Sequence, residues 1–361
     1  MQNSIYYIVL LGILSFAVGM VVVPIVRKIA VYFRLVDQPN YRKVHTKPIP
    51  LVGGITLAFV VFTNLFLSQN SIPIFHEFST ILAGAFLLLI VGVIDDKNDL
   101  NAKYKLLIQL ILAFAVAHSG IRINSLYGFF GYYEIHLYLQ YVITVLVITG
   151  VVNAFNLMDG VDGLVGSLTL LGFVLLLCAS WLYNSYTLMV LSVLFIGALV
   201  SFLHFNFSQQ QKIFMGDSGS LFLGFVLVTL GIKVLQMATS SASAHTTPTL
   251  LCVIAFFIIP VFDSLRVYIG RMKKGKSPFK ADKSHLHHLL LIIGLSHKKI
   301  AIAVVIMALS LFALGFLLIT YFSKTMILLA LIISFSIVIR FLLLISSMFL
   351  WRQRIQTLEN Q

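Results

Sequence analysis

Apolar runs recur along this chain too often for a soluble core to absorb them. Windows near 5–26, 51–68, 79–94, 104–118, 136–152, 164–182, 186–205, 218–238, 248–269, 299–322 and 325–350 are dominated by aliphatic and aromatic residues. A helix that crosses a bilayer needs about 17–25 residues, so the shorter windows must borrow from their flanks. The count is eleven spans, with ten as the alternative, because 104–118 and 136–152 are weak. Those two flank SLYGFFGYYEIHLYL, whose tyrosines suit an interfacial segment. Composition agrees, with 60% hydrophobic and 10% charged residues, against about 25% charged in soluble domains. The expected fold is all-α: a polytopic membrane protein, residues 1–361 forming a single integral-membrane domain. The first run lacks a basic lead and a small-residue cleavage site, so it reads as a retained span. Cys178 and Cys252 lie inside apolar runs and read as buried small hydrophobes, not as a disulfide or metal site.

A formal net charge of +13 raises the question of nucleic acid. The placement of the charge answers it. Arg27, Lys28, Arg34, Arg42, Lys43 and Lys47 share one loop, and Arg271, Lys273, Lys274, Lys276, Lys280, Lys283 and Lys298 cluster in and just beyond another. The opposite loops hold little beyond Arg122 and Lys324. Lys and Arg gather on the cytoplasmic side of membrane proteins. The loops at 27–50, 95–103, 153–163, 206–217 and 270–298 are therefore expected in the cytoplasm, with the N-terminus outside. No nucleic-acid partner is expected.

The acidic residues give a second asymmetry. All nine aspartates (Asp37, Asp95, Asp96, Asp99, Asp159, Asp162, Asp217, Asp263, Asp282) fall in or beside these loops, whereas Glu77, Glu134 and Glu359 do not join them. Orientation depends on Lys and Arg, so it does not require this clustering. A site does.

Four stretches carry the cluster. GVIDDKNDLNAKYK, residues 92–105, brings Asp95, Asp96 and Asp99 within one helical turn, where like charges repel. A solvated loop of mixed charge explains it equally well. GVVNAFNLMDGVDGLVGS, residues 150–167, spaces Asn153, Asn156, Asp159 and Asp162 by three, while Gly160 and Gly163 permit close backbone approach to a ligand. A polar turn is the plainer alternative. KIFMGDSGSLFLG, residues 212–224, sets Asp217 at a helix start, as a cap or as a carboxylate for Mg²⁺ whose other ligands are phosphate oxygens. RMKKGKSPFKADKSHLHHLL, residues 271–290, adds His285, His287 and His288 to a run of lysines. Orientation explains the lysines alone; an anionic substrate explains both. Carboxylates and Asn suit a hard cation, and Lys and His suit phosphate. Together they point to metal-assisted phosphoryl transfer at the membrane surface.

DDKND at 95–99, NAFNLMDGVDGL at 153–164, FMGDSGS at 214–220 and HLHH at 285–288, in that order, resemble the polyprenyl-phosphate N-acetylhexosamine-1-phosphate transferases over nearly the whole chain. The resemblance implies a reaction: undecaprenyl phosphate attacks the β-phosphorus of a UDP-N-acetylhexosamine, giving a polyprenyl-diphospho-sugar and UMP. The product starts a cell-envelope glycan, and the enzyme sits in the bacterial cytoplasmic membrane with its active site on cytoplasmic loops. Mg²⁺ is the implied cofactor, with Mn²⁺ as an alternative. The resemblance also implies roles. Asp217 matches the metal ligand and Asn156 a position that can also reach the metal. Asp162 matches a nucleotide contact, and Asp95 and Asp96 the pair that handles the lipid phosphate. Lys105 matches the lysine holding that phosphate, while His287, His288 and, less closely, His285 match the diphosphate-gripping loop. Arg42, His45 and Lys47, in PNYRKVHTKPIPLVGG, are candidates at the pocket border. Asn153 and Asp159 are counted with the substrate-binding residues without a named partner. The branch acting on UDP-MurNAc-pentapeptide has three consecutive histidines after Pro-Leu; Ser-His-Leu-His-His fits the UDP-GlcNAc branch better. The different-class alternative is an ion-coupled transporter, since intramembrane carboxylates mark ion pathways. A homodimer is left open.

Overall fold

The computed structural model describes residues 2–38, 48–69, 71–240, 245–275 and 284–359. Arg42, His45 and Lys47 lie outside them. Among the described residues twelve α-helices follow one another: α1 Gln2–Tyr32, α2 Gly53–Leu67, α3 Ser71–Asn98, α4 Ala102–His118, α5 Leu137–Met158, α6 Leu164–Leu182, α7 Tyr186–Asn206, α8 Gly216–Ser240, α9 Thr246–Lys273, α10 Leu286–Ile292, α11 His297–Leu318 and α12 Lys324–Glu359. The all-α expectation holds. Each of the eleven apolar windows contains a helix. Among the described residues, nine helices are long and apolar enough to cross a membrane; α2 is a shorter apolar helix, α4 has 17 residues, and α10 lies outside every window.

Burial follows from the solvent. In lipid an outward Leu, Ile or Phe costs nothing, so peripheral helices need only one buried stripe. The apolar window of α12 is 22% buried and that of α8 is 83% buried. Thus α8 is the central post, packed against α2, α3, α5, α6 and α9. Phe155, Phe195, Phe222 and Phe225 fill the space around it, and Phe195 stacks on Phe173 at 4.2 Å. Small residues let the post come close: a Cβ on Gly92 of α3 would collide with the Ser218 backbone at the first turn of α8. The carboxylates at the end of α3 are thereby held against Asp217.

Phe78 leaves helical geometry (φ −113°, ψ 16°) and kinks α3 just before the apolar window at 79–94. At the end of the bundle away from the aspartates, the aromatic stretch folds back through a Ser125–Glu134 bridge and a 3₁₀ turn at Phe129–Gly131. Lys324 Nζ donates to the Tyr127 carbonyl at 2.7 Å and fastens it to α12. At the opposite end two short strands, β1 Val36–Asp37 and β2 Ile49–Pro50, pair antiparallel. Gly53 N–H donates to Phe214 O, and Phe214 N–H to Pro50 O, both at 2.9 Å. This clamp fixes the approach to FMGD.

Candidate active site

The loops at this end enclose a cavity of about 1070 Å³. Asp95, Asp96, Asp159, Asp162, Asp217 and His288 line it, joined by Lys212 and His297. Ligand pockets usually run to about 300–1,000 Å³, so this one has room for a nucleotide sugar.

Asp95 and Asp96 end α3 and point to different tasks. Asp95 is buried; its Oδ1 accepts from the Leu100 N–H at 2.7 Å, and its Oδ2 is paired with Lys105 Nζ. Lys105 sits in the first turn of α4, which Asn101 caps by accepting from the Lys103 N–H. The same Nζ lies 3.4 Å from Asp217 Oδ2, so one ammonium bridges two carboxylates. Asp96 instead accepts the Asp217 and Ser218 N–H groups at 2.7 and 3.1 Å. A helix start has orphan donors and favours negative charge. The cap of α8 is therefore Asp96, and Asp217 is left with its carboxylate facing the cavity.

The asparagines diverge. Asn156 Nδ2 donates to Ser220 Oγ at 3.0 Å, which ties α5 to α8 and leaves Oδ1 outside that bond; Asn156 is not itself among the residues lining the cavity. Asn153 spends its amide on Gln109 Oε1 at 2.5 Å and Thr149 O at 2.8 Å, an α4–α5 tie away from the cavity lining. Asp159 and Asp162 occupy the turn after α5. Asp159 is half-buried in the cavity wall. Burial, with Asp217, Asp96 and Asp162 nearby, pushes its pKa well above the usual carboxylate range. Burial would also raise Asp162, but hydrogen bonds from His297 and Lys212, both at 2.6 Å to its Oδ2, outweigh that and lower it.

The histidine loop becomes α10. His285 is its N-cap residue, and His285 and His287 are both buried. A Cβ on Gly160 would lie 2.5 Å from His287 Nε2, so the imidazole rests directly on the Asp159–Asp162 turn. Burial, reinforced by His288 and His285, pushes the His287 pKa down to about 3. It is neutral at physiological pH and, buried against Gly160, does not itself line the cavity. His288 reaches the cavity lining.

The donor set fits a hard divalent cation. Asp95, Asp96, Asp159 and Asp217 face a shared space in which Lys105 is the cation hydrogen-bonded to two of them. Among the described residues no three His, Cys, Asp or Glu side chains form a group that could hold a metal ion. Mg²⁺ does not need one when substrate phosphates complete its shell.

Two cavity residues, Lys212 and His297, escape a reading by motif. Lys212 opens the stretch around FMGD, and His297 is the first residue of the apolar helix α11. Each is a lone cationic or titratable residue, and only the fold brings them to Asp162.

Residues 78–235 match the model of glycosyl transferase family 4, a stretch that includes the first three motifs. A Bacillus subtilis (strain 168) protein named as a probable undecaprenyl-phosphate N-acetylglucosaminyl 1-phosphate transferase is 35% identical over 81% of this chain and 79% of its own length. The chain belongs to glycosyl transferase family 4. Undecaprenyl-phosphate alpha-N-acetylglucosaminyl 1-phosphate transferases of Yersinia pestis and of Escherichia coli (strain K12) are each 32% identical over 81% of the chain and cover 79% and 78% of those proteins. The family's members are transferases, so the cavity is the candidate active site of a multi-pass membrane transferase.

Proposed function

We propose that this family 4 transferase moves N-acetylglucosamine-1-phosphate from UDP-GlcNAc to undecaprenyl phosphate and releases UMP. The observation that carries the reading is the cavity at one end of the bundle, lined by Asp95 and Asp217, which share the Lys105 ammonium, and by His288 of the histidine-bearing helix. The names of the relatives supply the acceptor lipid and the sugar.

In the transfer, a lipid phosphate oxygen attacks the β-phosphorus. The bond from that phosphorus to the bridging oxygen breaks, and the oxygen leaves with UMP. A phosphate monoester has a second pKa near about 6 and is largely dianionic at neutral pH, so the attack needs no strong base. Asp95 and Asp96 act by position: Asp95 orients Lys105, and Asp96 caps α8 and so aims Asp217. Lys105 holds the lipid phosphate in line, and His288, seated through neutral His287 on Gly160, donates to the diphosphate. Asp162, steadied by Lys212 and His297, faces the nucleotide. Asp217 and the Oδ1 of Asn156 would hold Mg²⁺, with Asp159 close by. When bound, it supplies charge neutralisation on the diphosphate and the departing UMP.

The test uses UDP-GlcNAc labelled at the β-phosphate, purified enzyme, Mg²⁺ and undecaprenyl phosphate. Label is expected to enter the lipid phase. Label that stays with the nucleotide while the sugar alone moves would rule out sugar-1-phosphate transfer.

A further inference from the structure

Asp263 lies inside α9 and outside the cavity lining, and no role described so far uses it. It is fully buried, yet its carboxylate makes four polar contacts. Three reach the start of the histidine helix. Oδ2 faces His285 Nδ1 at 3.0 Å, and the Leu286 N–H points at both oxygens, 3.0 and 3.1 Å away. The fourth is Arg266 Nη2 at 2.6 Å from Oδ1, and that same nitrogen donates to Ser284 O at 2.7 Å. One carboxylate therefore caps α10 and fixes the tautomer of His285 with Nδ1–H as donor. Through Arg266 it also holds Ser284, the residue before the cap. The next ring is stacked on the first: His285 and His287 are 5.9 Å apart and 5° from parallel, with His288 4.3 Å beyond His287.

A buried carboxylate is costly unless paired and hydrogen-bonded. Here every partner belongs either to α9 or to the approach and first turn of α10. The arrangement therefore sets the angle of a seven-residue helix too short to be stable alone. That angle decides whether His287 rests on Gly160 and whether His288 reaches the cavity.

We propose that Asp263 is a positioning residue for the nucleotide-sugar end of the site, acting through His285 and the α10 start rather than on substrate. The proposal rests on the UDP-sugar reading above. Asp263→Asn keeps the size and one acceptor but cannot take the Arg266, His285 and Leu286 donors together. In full-length protein in detergent, the KM for UDP-GlcNAc is expected to rise roughly tenfold or more, while the KM for undecaprenyl phosphate stays within about twofold. Diethyl pyrocarbonate labelling, read by mass spectrometry, gives a readout that needs no turnover. His285, buried in the wild type, should label several-fold faster in the variant, and UDP-GlcNAc should protect His288 in the wild type but not in the variant. An equal rise in both KM values, or unchanged labelling of His285, overturns the proposal. If UDP-GlcNAc fails to protect wild-type His288, the substrate reading is at fault, and the His285 labelling still decides the role of Asp263. Should Asp263→Asn not fold, Arg266→Lys, which loses the shared clamp on Ser284 O, is judged by the same criteria.

Discussion

Asp217 depends on a residue 121 positions earlier for its direction, because Asp96 satisfies its N–H and leaves its carboxylate to the cavity. Asp217→Asn is expected to reduce turnover at least about a hundredfold while the protein still inserts and purifies normally. Wild-type activity with Mg²⁺ would remove Asp217 from the metal. Asp159 offers a test by stability. Its pKa is raised by burial and by neighbouring carboxylates, so the folded state binds that proton more tightly than the unfolded chain. Ionised Asp159 therefore opposes folding at pH above its raised pKa, and the penalty fades as pH falls toward the unfolded value of about 3.9. In EDTA, Asp159→Asn should melt higher than wild type near about pH 8, with the gap narrowing on acidification. A constant gap, or a variant that melts lower throughout, would contradict the assignment. The sequence showed which aspartates cluster, since charge near lipid stands out. It could not show that Asp96 serves as a helix cap or that Asn153 turns to Gln109, because both contacts join distant segments.

The long helices were legible as apolar windows, because in a bilayer every backbone group must be satisfied within the helix. The kink at Phe78 and α10 were not. The first interrupts a helix without proline or glycine at the break, and the second is a single short turn system between polar residues. The close approach of α10 to the turn after α5 depends on Gly160. Gly160→Ala would push His287 off that turn and is expected to lower kcat/KM for UDP-GlcNAc roughly tenfold or more without changing the melting temperature much. Unchanged kinetics would show that His287 does not need its seat on residue 160.

At the scale of the whole molecule, six chain segments from Asp37 to His297 meet at one end of the bundle. The lysine and arginine bias of the sequence predicts that this end faces the cytoplasm. With Cys178 and Cys252 replaced, a cysteine at the exposed Gln210 should resist a membrane-impermeant maleimide in intact cells, and one at the exposed Tyr132 should react. The reverse pattern would invert the topology. The central claim is transfer of a sugar together with its phosphate, and the nucleotide product reports that directly. Purified protein is incubated with Mg²⁺, undecaprenyl phosphate and each of a panel of UDP-sugars, and the released nucleotide is identified. UMP is expected with UDP-GlcNAc, and only when the lipid phosphate is present; release of UDP, or of no nucleotide with any sugar in the panel, would contradict it.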